Sequence, residues 1–323
     1  MNLLMVFIDG FGLGAPDGAV NPLLAAEMPF IRRILAGRPL TRESVAAGLS
    51  LPGVTLRPLD VRLDVPGIPQ SATGQTALFT GVNAARIAGR HIHGFPTKSL
   101  REILDQHSIF KLLSRAGRKA VFANTFTAEY FEAVQKGRGR ARARHSVTTV
   151  AAMAGREPLR MLPDLGRGAA LYQDITNEML RERGYAVDIA TPEEAARRLA
   201  HLAAANDFTL FEYFQTDRCG HKQDWELALQ LLSRLDRFLG ALAGYLADNR
   251  LTLLVVSDHG NIEDLSVKTH TFNPVPVIAI GEGAAYFSGA ASLVDIYPAL
   301  LRFFDLEGRI DLKGDFQLDL SKG

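Results

Sequence analysis

The strongest constraint in this sequence is a set of short apolar runs that each stop at polar or acidic residues. Residues 3–8 run into Asp9-Gly10, 119–123 into Asn124, 208–214 toward Thr216-Asp217, 251–256 into Ser257-Asp258-His259-Gly260, and 276–280 into Gly281. Runs this short, with apolar residues at successive positions, predict strands buried on both faces. Helix-like stretches lie between them, at 29–35, 109–115, 192–204, 227–247 and 293–304. Pro192-Glu193-Glu194 places proline and acids in a first turn, which is a helix-start signal. The alternation predicts an α/β fold with a largely parallel central sheet flanked by helices. In such sheets, sites gather beyond the carboxyl ends of the strands, where these polar residues sit.

The segment 126–190 fits the alternation less well. It holds Arg138, Arg140, Arg142 and Arg144, then Ala- and Thr-rich sequence and Gly-rich turns. It reads as an insertion or small cap on a core made of 1–125 and 191–323; the alternative is that it belongs to the sheet.

Composition narrows the class. Apolar residues at 47% and charged residues at 22% are ordinary for a globular protein, so a sizeable core is expected and wholesale disorder is excluded. Basic and acidic residues number 36 and 35, a balance that gives no reason to expect a nucleic-acid partner. No apolar run is long enough to span a bilayer, and the first run ends at Asp9 with no basic start, so neither a membrane span nor a secretory leader is expected. The single cysteine, Cys219, excludes an internal disulfide and a cysteine-rich zinc site. A reducing compartment, the cytoplasm, is the expected location.

The chemistry-bearing residues cluster at the predicted strand ends. Of eight histidines, His221, His259 and His270 lie in polar segments there. Asp217 precedes His221 by four residues, Asp258 directly precedes His259, and Asp9 ends the first strand. Mixed carboxylate and imidazole ligands suit zinc, manganese or iron more than calcium or magnesium. Six such residues are enough for two divalent ions, and two ions ~3.5–4 Å apart form a clamp for phosphoryl transfer. Ser71, in Ile68-Pro-Gln-Ser71-Ala-Thr-Gly74-Gln75, sits at a turn entering a helix and is the candidate nucleophile. A helix start offers free N–H groups to a phosphate, and the serine needs a base or a metal to remove its proton. Thr73 and Thr76 compete for that role, and each also reads as a cap or core hydroxyl.

Taken in order, these segments resemble the alkaline phosphatase superfamily, particularly the branch of cofactor-independent phosphoglycerate mutase and phosphopentomutase. The resemblance rests on Phe7-Ile-Asp9-Gly10-Phe-Gly12, Gln70-Ser71-Ala-Thr-Gly74, Thr216-Asp217-Arg-Cys-Gly220-His221, Ser257-Asp258-His259-Gly260-Asn261-Ile-Glu263 and His270-Thr-Phe-Asn273-Pro-Val-Pro276. Ser292-Leu-Val-Asp-Ile-Tyr-Pro298 is similar to a helix that often closes the fold. The resemblance implies that Asp217, His221 and His270 hold one metal ion. It implies that Asp9, Asp258 and His259 hold the other, with Ser71 Oγ coordinated to it. Manganese is the preferred metal and zinc the alternative. Ser71 would attack phosphorus and become a phosphoserine. Cys219 does not fall on a ligand position of the family and reads as structural.

Two departures qualify the likeness. Gln75 stands where the mutase branch usually has histidine. The large domain that phosphoglycerate mutases carry after the nucleophile segment is not accommodated, because 108–124 already reads as the next core helix and strand. A sulfatase is excluded, since Ser71-Ala-Thr-Gly-Gln75 does not match its Cys/Ser-x-Pro-x-Arg motif. The expected activity is hydrolysis of a small phosphomonoester from a phosphorylated metabolite. The alternatives are a phosphomutase and a non-catalytic metal- or phosphate-binding protein. Arg86, Arg90, His91, His93, Arg140 and Arg144 are candidate contacts for a second anionic group of the substrate; the competing reading is a solvated surface.

Overall fold

The computed structural model describes residues 1–136 and 144–308. Nine strands occur among the described residues: β1 (Asn2–Ile8), β2 (Leu49–Leu51), β3 (Val54–Leu59), β4 (Ala120–Phe122), β5 (Thr125–Phe126), β6 (Arg160–Met161), β7 (Phe208–Tyr213), β8 (Leu251–Val256) and β9 (Val275–Ile280). Seven form the central sheet, in the order β2-β3-β9-β8-β1-β7-β4, and β5 and β6 pair separately. The strands β8, β1, β7 and β4 run parallel. The other edge is antiparallel, with β9 against β8, β3 against β9 and β2 against β3. All five expected strands are present, and the hairpin β2–β3, turning through Pro52-Gly53, was not anticipated from the apolar runs.

Side-chain alternation along β1 divides the interior in two. Leu3, Met5 and Phe7 face one core with Phe208, Leu210, Leu254 and Val256. Leu4, Val6 and Ile8 face the other with Phe211, Tyr213, Leu253 and Val255. Successive residues of a strand point to opposite faces, so a buried strand must be apolar throughout. The first core is covered by helices Ser71–Thr80, Lys98–His107, Ile109–Arg115, Val147–Ala154 and Ile296–Phe303. The second is covered by Pro192–Ala204 and Trp225–Gly244, which pack on each other. The start of the first of these is closed by a capping box: Thr191 Oγ1 accepts from Glu194 N at 3.2 Å, and Thr191 N donates to Glu194 Oε2 at 2.8 Å.

Segment 126–190 is divided in space. Its helix Val147–Ala154 packs against Lys98–His107 and Ile109–Arg115 in the first core. Leu165, Tyr172 and Leu180 form a small cluster of their own. Arg138, Arg140 and Arg142 lie outside the described residues.

The register of the parallel strands brings the site together. Ile8 pairs with Tyr213 and Phe7 with Val256, so β1, β7 and β8 end at one edge. Asp9, the helix Gln215–Lys222 and the Ser257-Asp258-His259 turn all leave the sheet there. Among the described residues, no helix is long and apolar enough to cross a membrane.

Candidate metal centre and active site

At this edge the structure gathers Asp9, Ser71, Asp217, His221, Asp258, His259 and His270. Asp9, Asp258 and His259 form one group of mutually close ligand atoms, and Asp217, His259 and His270 form another. His259 Nε2 lies 3.2 Å from Asp9 Oδ1, 3.4 Å from Asp258 Oδ2 and 3.0 Å from Ser71 Oγ. His270 Nε2 lies 3.4 Å from Asp217 Oδ1 and 3.3 Å from His221 Nε2. Asp217 and His221, one turn apart on the Gln215–Lys222 helix, approach to 3.4 Å. His259 is thus common to both groups, whereas His221 sits at the partly exposed rim.

Backbone geometry lets these elements close on one another. Gly10 has φ of +69°, and a Cβ there would stand 2.9 Å from the Asp217 backbone. Gly12 and Gly260 lie against the Glu263 carboxylate, with no room for a side chain. Glu263 is fully buried and accepts from Gly12 N, Asn261 N, Thr271 Oγ1 and Asn273 Nδ2. It ties the loop after β1 to both ends of the β8–β9 connection, which carry His259 and His270. Asn261 Nδ2 in turn donates to Asp217 Oδ1 at 2.7 Å.

The donor set fits divalent metal ions. Each histidine directs Nδ1 at a backbone carbonyl: His270 at Pro69 O (2.8 Å), His221 at Lys268 O (2.7 Å) and His259 at Gly260 O (3.3 Å). A carbonyl only accepts, so Nδ1 carries a proton, and Nε2 is the atom left to take either a second proton or a metal ion. All three Nε2 atoms face the carboxylates. Asp9 Oδ1 is buried and accepts no hydrogen bond. No lysine or arginine forms an ion pair with Asp9, Asp217 or Asp258 among the described residues. The protein alone must balance this charge with protons. Burial raises the Asp258 carboxyl well above its usual range, and the charge of Asp9 adds to the effect. Burial works against a charged His259, but the carboxylates of Asp258 and Asp9 outweigh it and push its pKa up to about 10. Cations bound at the same atoms would replace those protons.

Ser71 is the first residue of the helix Ser71–Thr80 and is buried. Thr76 is in that helix's interior, bonded to Ala72 O at 2.6 Å, and Thr73 Oγ1 is engaged with Gln70 O and Ile92 N. Both competing threonines therefore serve the backbone. Gln75, one turn beyond Ser71, donates from Nε2 to Asp258 Oδ2 at 2.9 Å and Asp9 Oδ2 at 3.2 Å. It bridges the two carboxylates that flank His259.

A cavity of about 630 Å³ opens beside Ser71. Of the expected substrate contacts, His93 and Arg144 line it. Arg86 and Arg90 are exposed and His91 half-buried, and none of the three is among the lining residues. The physical reason is the length of the Ser71–Thr80 helix. Ten residues carry the chain ~15 Å from Ser71 before Arg86 and Arg90 are reached. The chain then returns, with Ala72 N donating to Ile92 O at 3.1 Å, and sets His93 beside the nucleophile. His93 is held there by Gln70 Oε1 at 2.8 Å from Nδ1. Arg140 lies outside the described residues.

The cavity also holds residues that motif reading missed, above all Glu212. Its signal was present: it is the one charged residue in the apolar run of β7. Burial raises its carboxyl to about 8, although Thr148 Oγ1 donates to Oε2 at 2.6 Å. Asn124 pins its backbone on both sides, through Nδ2 to Glu212 O and from Glu212 N to Oδ1, each 2.8 Å.

Residues 173–308 match the family model described as Metalloenzyme superfamily. A 2,3-bisphosphoglycerate-independent phosphoglycerate mutase of Agrobacterium fabrum is 33% identical over 142 residues, covering 41% of this chain and 28% of that protein. One of Halobacterium salinarum is 36% identical over 104 residues, covering 29% and 20%. The chain therefore spans less than a third of the length of these relatives. Among solved structures, the PH0037 protein of Pyrococcus horikoshii superposes with a TM-score of 0.56 at 15% identity, over 96% of this chain and 98% of that one. A cold-active alkaline phosphatase from Shewanella sp. superposes with a TM-score of 0.51 at 13% identity, over 94% and 99%. These two likenesses concern the fold. Residues 173–308 are thus similar in sequence to the metalloenzyme superfamily, and the described chain has an alkaline-phosphatase-like fold.

Proposed function

We propose that this protein is a metal-dependent phosphoryl-transfer enzyme that hydrolyses a phosphomonoester of a small metabolite through a phosphoserine on Ser71. The observation that carries the reading is the position of Ser71 Oγ. It lies at a helix start, on the wall of the cavity, and 3.0 Å from His259 Nε2 in the Asp9–Asp258–His259 group. Asp217, His221 and His270 on one side, and Asp9, Asp258 and His259 on the other, would hold two divalent ions, manganese before zinc. Such ions, when bound, neutralise phosphoryl charge and favour the ionised serine.

The chain's own groups do the rest. The Ser71–Thr80 helix presents Oγ to phosphorus, with the positive end of its dipole behind it. Ser71 loses its proton to solvent, its Oγ–P bond forms, and the ester P–O bond breaks in line. The departing alcohol takes up a proton. Water then attacks phosphorus, the Oγ–P bond breaks, inorganic phosphate leaves, and Ser71 regains a proton. Arg218 and His93, which line the same cavity, supply donors to the phosphoryl oxygens.

The test is phosphate release from a panel of phosphomonoesters by manganese-loaded, zinc-loaded and chelated protein, with acid-quenched protein examined for phosphoserine. Ser71→Ala should abolish both release and the phosphoserine while retaining bound metal. Full activity in that variant would end the covalent mechanism. A mutase is the second reading, favoured by the 33% identity to a phosphoglycerate mutase. It would give phosphoserine and a rearranged ester with no release of phosphate.

A further inference from the structure

The cavity beside Ser71 is larger and more aromatic than a phosphoryl group requires. Its volume of about 630 Å³ is in the range that encloses a drug-sized ligand, and a three-carbon ester would leave much of it empty. Phe95, Phe122, Phe126, Tyr130, Tyr172 and Phe214 line it. Phe126 stands at the centre of this wall. Its ring lies 5.0 Å from that of Tyr130 and 6.0 Å from that of Phe122, at 47° and 63°. These tilted pairs present both faces and edges to a flat guest.

Buried polar side chains interrupt the aromatic wall, among them Asn124, Thr125, Thr149 and Glu212. Glu212 pairs with Phe7 across β1–β7, and Asp9 lies two residues beyond Phe7 on the same face. Strand spacing and rise put Glu212 ~8 Å from Asp9, backbone to backbone. Thr148 donates to Oε2 of Glu212, and no cation pairs with the carboxyl among the described residues. Burial raises the Glu212 carboxyl to about 8, which favours the neutral form. A neutral carboxyl offers a donor and an acceptor side by side, which suits the edge of an uncharged ring. It also avoids placing a second anion near the phosphate.

Resting on the phosphoryl-transfer reading above, we propose that the substrate is a phosphomonoester whose alcohol carries an aromatic or heteroaromatic ring. The ring is seated against Phe126 and Tyr130 and faces Glu212 at its edge. The shape and apolar character of the wall select for it, whereas a glycerate or glycerol ester gains nothing from this surface.

The test compares kcat/KM for 1-naphthyl phosphate and uridine 5′-monophosphate with that for glycerol 3-phosphate and 3-phosphoglycerate, using metal-loaded protein. Ring esters should be favoured by at least about tenfold, the equivalent of one well-placed apolar contact. Phe126→Leu should reduce that preference by raising KM for the ring esters more than for glycerol 3-phosphate. A higher value for uridine 5′-monophosphate that falls in Glu212→Leu and is kept in Glu212→Gln would assign a heteroaromatic ring; a preference for 1-naphthyl phosphate that both variants keep would assign a plain aryl group. Equal or better turnover of glycerol 3-phosphate would overturn the proposal and leave phosphoryl transfer standing. If no ester releases phosphate, hydrolysis fails, and calorimetry on Ser71→Ala protein decides the pocket separately. Tighter binding of 1-naphthyl phosphate than of glycerol 3-phosphate then supports it, and equal binding rejects it.

Discussion

The imidazole rings of His259 and His270 are stacked, with centroids 3.6 Å apart and planes 12° from parallel. They come from opposite ends of one connection, residues 257–274 between β8 and β9. Both ends are held by Glu263, which accepts from Asn261 N and Thr271 Oγ1. The stack joins the Asp9–Asp258 side of the cluster to the Asp217 side, and His259 belongs to both.

The two histidines His259 and His221 differ in position. His259 offers its ligand atom at the buried centre of the cluster, whereas His221 offers one at the rim. His259→Ala and His221→Ala should each lower metal content by about one ion per chain. Metal analysis of gel-filtered protein checks this. Unchanged metal content in His259→Ala would show that it is not a ligand.

Glu263→Gln should weaken the site without touching any proposed ligand. The amide replaces one carboxylate oxygen by a donor, so at least one of the N–H and O–H groups now bonded to Glu263 loses its acceptor. The expected cost is about 1–3 kcal/mol in denaturant unfolding. Because the residue orients the connection that carries two ligands, metal affinity should fall by ~10–100-fold. A variant of normal stability and normal metal affinity would show that Glu263 does not hold that connection.

Glu212 should make the fold less stable as pH rises. Burial raises its carboxyl from 4.5 to about 8, so the folded chain keeps a proton that the unfolded chain has already lost. Stability from this group is therefore whole below about pH 4.5 and declines as pH climbs to about 8. The decline should be on the order of a few kcal/mol. Glu212→Gln should flatten it, as read by melting temperature at pH 5 and pH 8. An unchanged slope would mean that other groups set the dependence.

The sheet and the cluster were legible for different reasons. Strands buried on both faces must be apolar at nearly every position, so β1, β7 and β8 stand out as runs. Residues that leave one edge of a sheet are punctuated by polar residues at the run's end, which is why Asp9, Asp217, Asp258 and His259 could be marked from the chain alone. The β2–β3 hairpin escaped because its outer strand is short and mostly exposed, and so carries little apolar signal.

Strand-end chemistry is therefore written in the chain: which residues could bind metal, and which serine stands at a helix start. Which of them become neighbours is settled by packing. The parallel register of β1 with β7 and β8 brings Asp9, Asp217 and Asp258 to one edge. The return of the chain to Ile92 restores His93 to the site and leaves Arg86 and Arg90 outside it. Helix Val147–Ala154, from a segment read as a cap, closes on β7 and buries Glu212 beneath Thr148. Local sequence sets which way a chain runs and which face it hides. Long-range packing, through contacts more than a hundred residues apart, such as Ser71 with His259, sets the distances on which chemistry depends.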